Sequence, residues 1–175
     1  MALWVFGYGS LLWDPGFEPA ETRRPVLTDY HRTFCMLSIH HRGTEANPGL
    51  VLALDRQAGA TCTGLALRPQ PEDEDRVLAA LRERELISSA YVECEVDLIC
   101  AGGEALRALA YVVDRDHRQY VRFDLETQAQ MIAGAVGGRG PNPDYLFRTA
   151  DLLARMNIRD PEMEELTGRV KALLQ

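Results

Sequence analysis

Two places in the chain hold residue types whose spacing could support chemistry. The first is Val5–Trp13, which reads Val-Phe-Gly-Tyr-Gly-Ser-Leu-Leu-Trp. Leu3, Trp4, Val5 and Phe6 form a short apolar run of strand character, Gly7 and Gly9 flank Tyr8, and the Ser10 hydroxyl and Leu11 follow. Glycines permit backbone angles that other residues avoid and let a ligand approach the main chain closely. Successive peptide N–H groups in such a turn can converge on an anion or a carbonyl oxygen. The plain alternative is a tight turn that only ends a strand. The second place is Glu85. In the helix expected after Pro71, Val77, Leu78 and Leu81 share one face. At about 100° per residue Glu85 projects between Leu81 and Leu78 on that face, whereas Glu83 projects toward water. A carboxylate on an apolar face is costly to ionise, so its pKa rises above the ordinary value of about 4.3. Such a group can both accept and donate a proton. The alternatives are that Glu85 reaches solvent from a frayed helix end or pairs with a nearby arginine.

Competing chemistries fit less well. A dinucleotide loop needs a third glycine where Leu12 stands and a helix at once, but Asp14-Pro15-Gly16 follows, which is turn chemistry. No Gly-Lys-Ser/Thr is present for a phosphate loop, and Ser10 lacks the Gly-x-Ser-x-Gly elbow of a hydrolase. His31, Cys35, His40 and His41 lie close in sequence without a zinc spacing, and adjacent residues on a strand point to opposite faces. Tyr8, Tyr91, Tyr120 and Tyr145 either bind polar ligands through their hydroxyls or serve as core aromatics with one wet end.

The elements that must position these residues follow from periodicity. Pro15, Gly16, Pro19 and Pro25 predict an irregular stretch over 14–28. Over 30–39 the chain alternates, with Tyr30, Arg32, Phe34, Met36 and Ser38 on one face, as a strand would. Leu50–Leu54 and Thr63–Leu67 are two further apolar runs, and the loop between them includes Asp55-Arg56-Gln57-Ala58-Gly59, a plausible hairpin connection. Four acids, Glu72 to Asp75, suit the start of the helix that carries Glu85. Tyr91–Cys100 and Leu106–Val113 read as a second antiparallel pair, and helices are expected over about 125–136, 144–156 and 161–174. Strands come mostly first and helices mostly last, so the class is α+β, in one domain over residues 1–175.

The composition is that of an ordinary globular chain, 46% hydrophobic and 26% charged, with a formal net charge of −7. The negative balance argues against a nucleic-acid or acidic-membrane partner. No apolar run approaches the length of a membrane span, and no basic-then-apolar leader opens the chain. Cys35, Cys62, Cys94 and Cys100 show no C-x-x-C spacing and are read as reduced thiols of a cytoplasmic protein.

Several segments together resemble one family. They are Trp4–Trp13, His41-Arg42-Gly43, Pro48–Asp55, Arg84-Glu85, Tyr111–Arg115, His117, Gln119-Tyr120 and Asn142–Leu146. In this order, and over nearly the whole chain, they closely resemble the ChaC-type γ-glutamylcyclotransferases. The resemblance implies a small mixed β-barrel with surrounding helices, the γ-glutamylcyclotransferase-like fold. It implies that Val5, Phe6, Gly7, Tyr8, Gly9, Ser10 and Leu11 cradle a γ-glutamyl group, with Tyr120 a further substrate-binding residue, and that Glu85 is the acid–base residue. It implies a small-molecule substrate, glutathione or a related γ-glutamyl compound, and neither metal nor organic cofactor. Other γ-glutamyl amines or dipeptides are the alternative substrates, and a non-catalytic binder of a γ-glutamyl metabolite is the alternative class. Where many members carry glycine after the Arg-Glu pair, this chain has Leu86-Ile-Ser-Ser-Ala90.

Overall fold

The computed structural model describes residues Met1–Gln175. In chain order the strands are β1 (Val5–Gly7), β2 (Glu21–Arg23), β3 (Val26–Ser38), β4 (Gly49–Thr63) and β5 (Leu65–Arg68). Helix α1 (Glu74–Leu86) precedes β6 (Tyr91–Ile99) and β7 (Ala105–Val113). Then come α2 (Leu125–Gly134), the short ribbon of β8 (Val136–Gly137) and β9 (Gly140–Pro141), α3 (Asn142–Arg155) and α4 (Pro161–Leu173). The expected α+β class holds. Seven strands form one mixed sheet in the order β2-β5-β1-β7-β6-β3-β4.

The chain divides into two compact units, one of residues Met1–Arg32 with Leu54–His117 and one of Thr33–Ala53 with Arg118–Gln175. In the first, β1 runs antiparallel to β5, with Val5 opposite Leu67 and Gly7 opposite Leu65. On its other side it runs parallel to β7, with Val5 opposite Leu109. Side chains alternate across a strand. Trp4, Phe6 and Tyr8 therefore pack one way, into a cluster with Leu27, Leu54, Val96, Leu98 and Val112. Val5 packs the other way, with Leu11, Val77, Leu81 and Tyr111. Both faces of β1 are buried, which explains a run with no polar residue in it. Val77 and Leu81 are 2% exposed, and burying each stabilises the docked helix by about 1.5–3 kcal/mol. The same docking carries the last turn of α1, and Glu85 with it, against the cluster around Leu11.

In the second unit α2 and α3 each pack on α4. Ala129, Ile132, Leu146, Leu153, Met163, Leu166 and Val170 are buried there. Asp124 and Asp160 cap α2 and α4 by accepting from the N–H groups of Thr127 and Met163. Asn142, wholly buried, exchanges two hydrogen bonds with Leu50, its Oδ1 accepting from Leu50 N at 2.8 Å and its Nδ2 donating to Leu50 O at 2.9 Å. A side chain at Gly43 would stand 2.1 Å from Gly49 N, so the His41–Gly43 loop closes on the start of β4 without room for a side chain. No helix is long and apolar enough to cross a membrane.

Two expectations about connections fail. Residues 14–28 are not irregular throughout, since β2 and the start of β3 lie within them. Asp55–Gly59 is not a hairpin loop, because β4 runs straight through it. Asp55 is 2% exposed and held by Arg115 Nε at 2.8 Å, so its turn-like type serves an ion pair instead. The chain breaks at Gly64, where a side chain would meet Gly7 O at 2.3 Å and the Phe6 ring at 2.9 Å. The Thr63–Leu67 run therefore supplies β5, which pairs with β1 and β2.

Candidate active site

Beyond Gly7 the chain leaves the sheet and winds into a 3-10 turn over Ser10–Leu12. Leu12 N donates to Gly9 O at 2.9 Å and Asp14 N to Ser10 O at 2.8 Å. The N–H groups of Ser10 and Leu11 open this turn and so have no acceptor inside it. Leu11, 5% exposed, anchors the turn in the cluster with Val77 and Leu81. A side chain at Gly7 would press on Leu11 Cβ at 3.2 Å. Gly9 differs. Its φ is −135° and nothing lies within 4 Å of the position a side chain would take. Neither glycine has the positive φ that the sequence invites one to expect. What glycine preserves at position 9 is open space beside the main chain.

The predicted cradle thus divides. Val5 and Phe6 are wholly buried. Tyr8 is 8% exposed, and its hydroxyl donates to Tyr111 O at 2.8 Å. These three side chains hold the turn from behind, and the groups left to meet a ligand are the main chain of Gly9–Leu11 and the Ser10 hydroxyl. Arg32 supports the same turn. It is 4% exposed, its Nη1 donates to Tyr8 O at 2.7 Å and its Nη2 donates to Thr63 O. Sequence reasoning assigned Arg32 no role, although a charge between Tyr30 and Phe34 on one face of a strand with two mixed faces was the available signal.

The last turn of α1 brings Glu85 to the turn through its neighbour. Arg84 Nη1 donates to Asp14 O at 2.7 Å and Nη2 to Ser10 Oγ at 3.0 Å. Its Nε lies 3.4 Å from Glu85 Oε1, an ion pair too long to be a good hydrogen bond. Glu85 keeps 16% of its side chain exposed, whereas Glu83 is exposed. Burial pushes the Glu85 carboxyl above the ordinary glutamate range, with the Arg84 cation opposing it. Of the sequence alternatives, the arginine pair exists and burial outweighs it. Past α1 the loop needs a left-handed residue, and Ser89 takes φ 59°.

A second carboxyl stands close by. Glu93, on β6, accepts from Arg82 Nε at 2.9 Å, from Arg82 Nη2 at 2.8 Å and from the Tyr111 hydroxyl at 3.1 Å. Its pKa falls, chiefly through the Arg82 hydrogen bonds. Burial, then the adjacent Glu93 and Glu85 carboxylates, push the Tyr111 phenol up. This trio was not legible beforehand, because its members lie on three separate elements.

The remaining predicted residues lie elsewhere. Tyr120 belongs to the second unit, half-buried, and forms a single bridge with Met36. His40 and His41 hold Gly138 and Arg139 through their main-chain carbonyls, at 2.7 and 2.9 Å. No three His, Cys, Asp or Glu side chains come together in a cation-binding group.

Comparison with known proteins agrees with this picture. A family model described as "ChaC-like protein" matches residues 3–173. The glutathione-specific gamma-glutamylcyclotransferase of Escherichia coli (strain K12) is 35% identical over 178 residues, covering 98% of this chain and 74% of that protein. Gamma-glutamylcyclotransferase 2-3 of Arabidopsis thaliana is 30% identical and is covered over 91% of its length, with 99% of this chain. A solved structure of a glutathione-specific γ-glutamyl cyclotransferase from yeast superposes with a TM-score of 0.87 at 23% identity, over 98% of this chain and 96% of that one. At that identity the likeness speaks for the fold.

Proposed function

Because the chain belongs to the ChaC-like family, we propose that it is a γ-glutamylcyclotransferase that cleaves glutathione to 5-oxoproline and Cys-Gly. The observation that carries the site assignment is the buried Glu85 carboxyl with its raised pKa, joined through Arg84 to Ser10 of the glycine turn. The substrate's own α-amine is the nucleophile, so the enzyme need only fold the γ-glutamyl group into an attack geometry. Glu85 takes a proton from the α-ammonium and the freed amine attacks the γ-carbonyl carbon, closing a five-membered ring. The oxyanion that forms is met by main-chain N–H groups of Gly9–Leu11. The Ser10 hydroxyl accepts from Arg84 and so has its own proton to donate. Glu85 then gives its proton to the departing nitrogen as the amide bond breaks. It takes the second proton from the ring nitrogen, which becomes the lactam N–H. That proton leaves with the Cys-Gly amine as its ammonium, and no water is consumed. A raised carboxyl suits both transfers, since each unit of pKa moved toward the ammonium removes about 1.4 kcal/mol from the uphill first step.

Tyr120 is retained as a substrate-binding residue on resemblance alone. A single domain over 1–175 is supported by one family model that runs through both compact units. A cytoplasmic location is supported by four cysteines that are not joined in disulfides. The test is to incubate purified protein with glutathione and follow 5-oxoproline and Cys-Gly, which should appear in equal amounts. Release of 5-oxoproline only from other γ-glutamyl dipeptides would move the substrate, and release from none would leave the binder. Gly9→Val sharpens the assignment. Nothing crowds its side-chain position, so turnover and 5-oxoproline affinity should fall together and by more than the unfolded fraction accounts for. A folded Gly9→Val protein with both intact would move the ligand elsewhere.

A further inference from the structure

We infer that Arg32 is a positioning residue for this reaction: by holding the Tyr8 carbonyl behind the turn, it aims the Gly9 N–H at the γ-glutamyl carbonyl oxygen. The inference rests on the reading of Gly9–Leu11 as the cradle. In a trans peptide the C=O and the N–H point in opposite directions. Arg32 Nη1 takes the Tyr8 oxygen at 2.7 Å, so the N–H of the same peptide, that of Gly9, faces away from the guanidinium. The next peptide is fixed by a different device. Its oxygen, Gly9 O, accepts from Leu12 N at 2.9 Å, so the Ser10 N–H points out of the start of the 3-10 turn. Two successive donors therefore have their directions set by an arginine and by a turn, beside a Gly9 whose side-chain position is empty.

The choice of arginine fits this task. Its donors form a planar fork, and here the second arm is spent on Thr63 O at the end of β4 and lies 3.4 Å from Cys62 Sγ. The two carbonyls come from separate segments, the turn after β1 and the end of β4, so the guanidinium cannot rotate without losing one of them. A buried cation is costly where it only fills space. Placed on the Tyr8 oxygen, it also polarises the peptide and makes the Gly9 N–H a stronger donor, as cooperative hydrogen-bond chains do. A merely structural Arg32 would tie the turn after β1 to the end of β4 and have no effect on the chemical step.

The test uses the full-length protein with Arg32→Lys and Arg32→Met, glutathione turnover, thermal unfolding, and the amide NMR resonances of Gly9 and Ser10. Lysine keeps the charge but replaces the two-armed planar fork with a single nitrogen, so it cannot hold both carbonyls in the same geometry. For a mis-aimed oxyanion donor, Arg32→Met should lose about 100-fold in kcat and Arg32→Lys about tenfold. KM should stay within about threefold for both, because the loss falls on the transition state. The Gly9 resonance should be displaced in Arg32→Lys, and in the wild type both amides should shift as 5-oxoproline saturates. A folded Arg32→Lys protein with wild-type kcat overturns the inference. So does a kcat lowered only in proportion to the unfolded fraction with the Gly9 resonance unmoved. Should neither variant fold, the wild-type titration decides, and a Gly9 amide that does not move at saturation overturns it. A wild type inactive on every γ-glutamyl compound removes the cyclotransferase reading as well, whereas an active wild type with an unaffected Arg32→Lys removes this inference alone.

Discussion

Glu85 and Glu93 stand a few residues apart in the first unit and retain nearly the same exposure, 16% and 18% of their side chains. Their carboxyls nevertheless shift in opposite directions. Glu93 receives two hydrogen bonds from the Arg82 fork and one from the Tyr111 hydroxyl, and these hold its anion below the ordinary range. The neighbour of Glu85, Arg84, has already given both terminal nitrogens to Asp14 O and Ser10 Oγ. Only the 3.4 Å contact to Nε remains, and burial wins. Each glutamate has an arginine, so the presence of an opposite charge does not separate them. What separates them is where the guanidinium hydrogens are spent. A carboxylate given three donors is a structural anion, and one left nearly without donors is a proton carrier.

The largest expected effect comes from removing the carrier. Glu85→Gln should lower 5-oxoproline formation by roughly two to four orders of magnitude, the usual scale for acid–base catalysis, while Glu83→Gln is nearly silent. The stability sign is opposite to that of a paired acid. The folded pKa of Glu85 lies above its unfolded value, so its stabilising contribution is complete below the unfolded pKa and lost as pH rises through the folded one. Glu85→Gln should therefore melt at or above the wild-type temperature near neutral pH, and the difference should vanish in acid. A variant that melts lower at neutral pH would make Glu85 a second Glu93.

Arg84→Gln comes next. It removes the one cation that lowers Glu85, so the acid limb of the kcat/KM profile should move to higher pH. It also unclasps Ser10 and Asp14, and turnover should fall by about tenfold through looser positioning. An acid limb that stays in place would mean that Glu85 does not report in the profile.

Tyr111→Phe should be smaller in activity and visible in stability. It deletes one charged hydrogen bond to Glu93, at a cost of about 1.5–3 kcal/mol before the retained Arg82 bonds compensate. Glu93 has a lowered folded pKa, so its contribution is present above the unfolded pKa and lost as pH falls through the folded one. The gap between wild type and Tyr111→Phe in a pH series of thermal melts should thus narrow in acid. The smallest effect is a gain: Ser89→Gly relieves a left-handed serine at φ 59° and should stabilise the protein by about 0.5–1 kcal/mol.

What the amino-acid sequence determined by itself is everything carried by local period and local chemistry. The apolar run of β1, the paired alternation of β6 and β7, the four helices and the class follow from spacings of two and about 3.6 residues. Glu85 belongs to that set, because its place between Leu81 and Leu78 is a property of one helix, and so does the contrast with exposed Glu83. Tertiary structure decided whatever depends on partners distant along the chain. Asp55-Arg56-Gln57-Ala58-Gly59 has the composition of a turn, yet it runs as strand with Asp55 held by Arg115, sixty residues on, and Gly59 N by Asp29. Gly64 looks like any glycine until Gly7 O and the Phe6 ring close on it. Arg32 is one charge on a strand until its fork meets Tyr8 O, and Glu93 is one acid among many until Arg82 and Tyr111 reach it. The reason is the same in each case. A hydrogen bond between separate elements depends on where the sheet and helix set the two groups, and no period in the sequence records that distance.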